Sequence, residues 1–237
     1  MSLEVNIHAA QTSILRELLF HPQAGYGELQ KPTGLTSDHF NFHMSRLVEL
    51  GLVEKIARGR YQLTPSGKEY ANRLDTDNNT IERQPKIAVI LALQRTRDNG
   101  KLEYLFQERR KNPYYGFWGF PSGKIRWGET LVGAAARETM EETGLSADFR
   151  VAGVYHELTR QAESGELLED KVFFVVNGTD PRGELIADFE GGHNEWLTAA
   201  EVLTKDKKYA TVQVELDVLT APNWLTERTI SYNKQEF

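Results

Sequence analysis

Residues 75–85, DTDNNTIERQP, are polar and nearly free of apolar side chains, and they separate two stretches whose hydrophobic residues recur periodically. Such a segment has little to contribute to a shared core, so the chain is expected to fold as two domains, 1–74 and 86–237, joined by a linker over 75–85. The total of 237 residues suits one small and one medium domain. Charge divides at the same place. Residues 1–74 carry 8 Lys+Arg against 7 Asp+Glu, a net of +1, which leaves −7 for the remainder of a chain whose formal net charge is −6. An acidic second part argues against a broad electrostatic grip on nucleic acid there and leaves room for a local basic spot in the first. The absence of cysteine excludes disulfides, thiolate zinc sites and cysteine nucleophiles, so catalysis would rest on oxygen or nitrogen groups. The longest apolar run, 87–93, is far shorter than the ~20 residues that cross a bilayer. The N-terminus mixes Glu4, His8 and Arg16 into its apolar residues, unlike a secretory signal. A cytoplasmic protein with no membrane partner is expected.

Before the linker, Ile7, Ala10, Ile14, Leu15, Leu18 and Leu19 recur at helical spacing until Pro22. A short second helix is expected over 27–31. A third starts from a cap at Thr36 or Ser37, with Phe40, Met44, Leu47 and Val48 inward and Gly51 just past its end. Strands are expected over 52–56 and 61–64, around the turn Arg58-Gly59-Arg60, and then a helix from Thr64-Pro65-Ser66 to about Leu74. This order, with the stretch FHMSRLVELGLVEKIARGRYQLTPSGKEY, resembles the winged helix-turn-helix family. The resemblance implies a third helix in the major groove of DNA, presenting Asn41, Arg46, Ser37 and Ser45, and a hairpin whose Arg58 and Arg60 each meet a phosphate. Asp38 and Glu49 oppose DNA, Phe42 reads as a packing group, and the family also serves dimer contacts. DNA binding and a homodimer therefore both stand as expectations. His8, His21, His39 and His43 lack the partner pattern of a metal site and are read as surface or core groups.

After the linker, strands are expected over 86–93 and 102–107, joined by the turn Asp98-Asn99-Gly100, with a later strand over 171–176. A loop rich in glycine and aromatics leads into GKIRWGETLVGAAARETMEETGL. There Glu138, Glu141 and Glu142 fall near the end of one helix. At ~100° per residue the last two lie about 60° and 40° to either side of Glu138, so three carboxylates share a narrow face. Like charges so close repel, and a hard divalent cation such as Mg²⁺ or Mn²⁺ would relieve them. A solvated acidic helix face is the plainer alternative.

Gly123, Glu129, Arg137, Glu138, Glu141, Glu142 and Gly144 occupy seven fixed positions over 22 residues, closed by Leu145, and this segment resembles the Nudix hydrolase box. Only Thr139 departs, where the family has an aliphatic residue. The two resemblances together imply an α+β chain, a winged helix-turn-helix domain followed by a Nudix α/β/α sandwich with a mixed sheet. For the site they imply Glu138, Glu141 and Glu142 as ligands of Mg²⁺ or Mn²⁺, with the main-chain oxygen of Ser122 as a further ligand. The family commonly has glycine at that position, so the Ser122 side chain narrows the loop. Arg137 would tether the carboxylates and pair with Glu129, while Gly123 and Gly144 shape the turn and the helix end. Glu190, six residues before Trp196, matches a carboxylate that relatives use as metal ligand or general base, and Glu195 is its rival.

Arg110, Lys124 and Tyr115 are candidate substrate contacts. Of Tyr114, Tyr115, Phe117 and Trp118, one or two are expected to touch ligand, while Trp118 and Phe120 read as core; Tyr155 and His156 are further candidates for the pocket, with core or surface roles as the equal alternative. The implied activity is hydrolysis of the pyrophosphate bond of a nucleoside diphosphate linked to another moiety. The alternative is a nucleotide-sensing transcriptional regulator with the Nudix domain as effector module. Such regulators often carry an eroded box and place the DNA module second, whereas here the box is intact and the order reversed, which favours the enzyme. Neither the proline nor the tyrosine that mark some substrate subgroups about sixteen residues past the box is present, so no particular nucleotide is implied.

Overall fold

In the computed structural model, which describes residues 7–75, 80–81, 84–220 and 224–233, the chain divides into two units, Met1–Arg83 and Gln84–Phe237. Of the expected linker, residues 76–79 and 82–83 lie outside the described residues.

The first unit begins with α1 (Ala9–Phe20), which His8 caps: its ring accepts the Ala10 N–H at 3.1 Å, and the Gln11 side chain accepts the His8 N–H at 2.9 Å. Then come β1 (Ala24–Gly25), α2 (Tyr26–Gln30), a 3-10 turn over Lys31–Thr33, α3 (Ser37–Glu49), β2 (Val53–Ala57), β3 (Arg60–Leu63) and α4 (Pro65–Ala71). The three strands form one antiparallel sheet in the order β1-β3-β2. Ile14, Leu18, Phe40, Met44, Leu47 and Leu52 fill the core. Two expectations for α3 are corrected. Phe42, read as a packing group, is 69% exposed, and Val48, read as inward, is 41% exposed. The buried stripe runs through Phe40, Met44 and Leu47, and Phe42 points about 200° away from Phe40 around the helix. Thr36 is the N-cap but its side chain makes no capping bond. The last helix stops at Ala71, short of Leu74, because β4 (Leu74–Asp75) pairs antiparallel with β5 (Thr80–Ile81).

The second unit is built on a nine-stranded mixed sheet. Its elements are β6 (Lys86–Thr96), β7 (Leu102–Arg109), β8 (Trp118–Gly119), β9 (Ser122–Lys124), α5 (Leu131–Thr143), β10 (Leu145–Gln161), β11 (Leu167–Gly183), β12 (Asp188–Phe189), β13 (Gly192–Leu197), α6 (Ala199–Leu203), α7 (Val212–Thr220) and β14 (Leu225–Tyr232). The main path runs β12-β13-β7-β6-β11-β10-β14, with β8 on β7 and β9 on β6. Among the described strands, β6/β11 and β10/β14 pair parallel and the others antiparallel. Side-chain alternation along β6 shows how the layers are made. Val89, Leu91 and Leu93 pack with Ala134 and Ala135 of α5, whereas Ile90 and Ala92 pack with Val202 of α6 and Val212, Leu216 and Val218 of α7. The sheet therefore lies between α5 on one face and α6 with α7 on the other. No helix among the described residues is long and apolar enough to cross a membrane.

Candidate functional site

The site is assembled by the loop from β9 to α5 and by the last two turns of that helix. Thr130 caps α5 by accepting the Gly133 N–H at 3.1 Å. At the other end Gly144 takes φ 71°, and a Cβ there would come within 2.7 Å of the Glu184 carbonyl, so both backbone and space demand glycine. Gly123 has a different task. A Cβ on it would sit 2.1 Å from Cγ and Cδ of Glu138, so the bare backbone of β9 is a cradle that the Glu138 side chain fills.

Arg137 organises the carboxylates. Its guanidinium donates to Glu129 through Nε at 2.7 Å and Nη2 at 2.9 Å, to the Lys124 carbonyl at 3.1 Å, and through Nη1 to Glu138 at 2.7 Å and Glu141 at 3.1 Å. Its side chain is only 16% exposed. The Glu129 carboxyl is held down at about 2, first by the Arg137 hydrogen bonds and then by the Arg126 N–H at 2.9 Å. The guanidinium of Arg137 is correspondingly held above its ordinary value, Glu129 being the largest cause.

Glu142 is placed differently. Burial pushes its pKa up, opposed by a 3.1 Å hydrogen bond from the Gln107 amide and by the charges of Lys111 and Arg109. Gln107 is also 3.2 Å from the Asn194 oxygen, while the Asn194 amide donates to the carbonyls of Glu142 and Ile186, at 2.9 Å each. Gln107 and Asn194 are register partners on β7 and β13. Sequence reasoning missed both, and Arg126 as well, which reaches both oxygens of Glu141 at 3.3 Å. The available signal for Gln107 was a polar residue two places after Leu105, on the strand face turned to α5.

The remaining expected residues separate. Ser122 pairs with Ile90 in the sheet and is exposed, as are Lys124 and Glu190, the last in the turn between β12 and β13. Glu195 points to the opposite sheet face from Asn194 and binds Lys205 at 3.2 Å. Arg110 is tied to Asp188 at 2.7 Å. In the aromatic loop Tyr114, Phe117, Trp118 and Phe120 are buried, and Tyr115 is 60% exposed. Tyr155 is fully buried on the face covered by α7, and His156 is clamped between Asp170 and Glu227 at 2.9 and 2.8 Å; neither lines this site. Asn41, Arg46, Arg58 and Arg60 of the first unit are exposed, with Arg46 paired to Glu49 at 3.1 Å.

No three His, Cys, Asp or Glu side chains among the described residues converge as a preformed metal cage. Glu138 and Glu141 lean on arginines instead. The donor set nevertheless fits a hard divalent cation: it is all oxygen, Glu138 occupies a cradle with no space for anything else, and Glu142 is a half-buried carboxylate that a cation would favour in its charged form.

A family model described as NUDIX domain matches residues 84–216. The ADP-ribose pyrophosphatase of Methanocaldococcus jannaschii is 31% identical over 129 residues, which are 52% of this chain and 73% of that protein. Among solved structures, a mutator MutT protein from Bacillus halodurans superimposes with a TM-score of 0.51 at 22% identity, over 64% of this chain and 93% of that one. That likeness is one of fold.

Proposed function

Because the chain belongs to the NUDIX domain family, we propose that its second unit hydrolyses the pyrophosphate bond of a nucleoside diphosphate linked to another moiety, with Mg²⁺ or Mn²⁺ as cofactor. The observation behind this reading is the Gly123 cradle, which fixes Glu138 beside an arginine that also grips Glu141 and Glu129. Glu138, Glu141, Glu142 and the Ser122 carbonyl would hold the cation. When bound, it would neutralise the non-bridging oxygens of the pyrophosphate. Arg137 keeps two of the carboxylates in place, and the Gln107 amide orients Glu142. Glu190, exposed on its turn, is the expected acceptor of the proton from the attacking water. Tyr115, Arg110 and Lys124 are the expected contacts to base and phosphate.

ADP-ribose heads the substrates to be tried, because the M. jannaschii relative bears that name. The test is a panel of nucleotide substrates with Mg²⁺, scored for released nucleoside monophosphate. Release from at least one diphosphate-linked nucleotide supports the reading, and none from any member removes it.

A second reading, as a nucleotide-sensing regulator, has its own observation. The first unit, proposed as a winged helix-turn-helix domain over 1–74 ahead of a linker over 75–85 and a Nudix domain over 86–237, leaves Asn41, Arg58 and Arg60 exposed on α3 and at the β2–β3 turn. If both arginines meet phosphates, replacing them with alanine flattens the log–log salt dependence of DNA binding by up to ~2. A gel shift with no affinity at low salt leaves only the homodimer role for this unit, which sedimentation would read.

A further inference from the structure

Arg126 and Arg137 both bind Glu141, yet they are held in different ways. Arg137 is nearly buried, and four other groups fix it: both Glu129 oxygens, the Lys124 carbonyl and Glu138. Arg126 is anchored only by its backbone, whose N–H donates to Glu129. Among the described residues, its guanidinium hydrogen-bonds only Glu141, through one nitrogen shared between both oxygens at 3.3 Å, and its side chain is 62% exposed. One arginine is part of the frame, and the other is an exposed charge laid over a carboxylate.

The cluster needs such a charge. Glu129, Glu138 and Glu141 share the Arg137 guanidinium, whose Nη1 is divided between Glu138 and Glu141. Arg126 brings a second positive charge to Glu141, which lies beside the like-charged Glu138 and Glu142 on the helix face. We propose that Arg126 is a stand-in cation: it covers the Glu141 oxygens in the metal-free protein, and an incoming divalent ion must displace it. This inference rests on the reading of Glu141 as a metal ligand. It makes Arg126 a positioning residue that acts through Glu141. Displacement leaves the loop itself intact, because the Arg126 N–H bond to Glu129 does not involve the side chain.

The test is a titration of the full chain with Mn²⁺ alone, followed by electron paramagnetic resonance of the free ion, without nucleotide. Arg126→Ala is expected to bind Mn²⁺ about two- to fivefold tighter, the range that the strength of an exposed ion pair allows. Arg126→Lys, which keeps the charge, is expected to stay close to the parent affinity. A residue that merely supported the loop would give weaker binding on removal. Unchanged or weaker binding by a folded Arg126→Ala protein overturns the inference while leaving Glu141 as a ligand. A parent protein that binds no Mn²⁺ overturns both.

Discussion

Two groups of carboxylates in the second unit are each gathered around basic side chains, one under α7 and one at the end of α5. Under α7, cross-strand neighbours of β10 and β11 close on themselves. Lys171 is 2.9 Å from Glu157 and 3.0 Å from Glu169, Lys86 takes the other Glu169 oxygen at 2.9 Å, and the hydroxyls of Thr159 and Thr211 donate to Glu157 and Glu215. Burial alone would lower the Lys171 pKa, but the two carboxylates outweigh it and hold the lysine charged. Burial pushes Glu215 up to about 7. Three acidic residues are thus matched by two ammonium groups and a proton. At the end of α5, three carboxylates share two guanidinium groups, one of them exposed and loosely held, while Glu142 takes an uncharged amide and feels Lys111 and Arg109 only as nearby charges. The difference teaches what separates a structural acidic cluster from a candidate catalytic one: the first closes around a largely buried lysine, and the second is covered by a guanidinium that solvent reaches.

The largest effect that would break this contrast is on the closed group. Lys171→Met leaves buried Glu157 without its lysine and Glu169 with Lys86 alone, and should cost about 3–5 kcal/mol of stability, read by denaturant unfolding, while turnover per folded molecule stays near the parent value. Full activity loss in a folded variant would mean that the two groups are not independent.

Next in size is the pH dependence of stability, which should have opposite signs in the two groups. Folded Glu215 keeps its proton to about pH 7, whereas unfolded it would release it near 4.5. Its contribution is complete below 4.5 and is lost as pH rises toward 7, a change of order 3 kcal/mol. Glu215→Gln should remove that slope. Glu129, held down at about 2, works the other way: its contribution is present above 4.5 and is lost as pH falls toward 2. Unfolding midpoints measured from pH 3 to 8 would show both limbs.

How much of this was legible in the sequence depended on how local the cause was. The box residues, the glycine before them, the helix and its closing glycine are set by spacing within 22 residues, and pairing of Arg137 with Glu129 is expected from the same segment. Gln107 and Asn194 meet Glu142 only because β7 and β13 pair across the sheet in one register. Arg126 reaches Glu141 across the loop before the helix, a distance that no periodicity encodes. Strand alternation turns Glu195 toward Lys205 once β13 is in place. For Tyr155 and His156 the deciding fact is also long-range: β10 extends over 17 residues and carries them into the region of α7 and β14. In the first unit, Phe42 lost its packing role because the buried stripe of α3 follows Phe40, Met44 and Leu47 alone.

The most direct test of the central claim is Mg²⁺-dependent monophosphate release by Glu142→Gln, measured per folded molecule beside its melting temperature. The account predicts a fall in turnover of ~10²-fold or more with the fold retained. Parent-level turnover in a folded Glu142→Gln protein would contradict it.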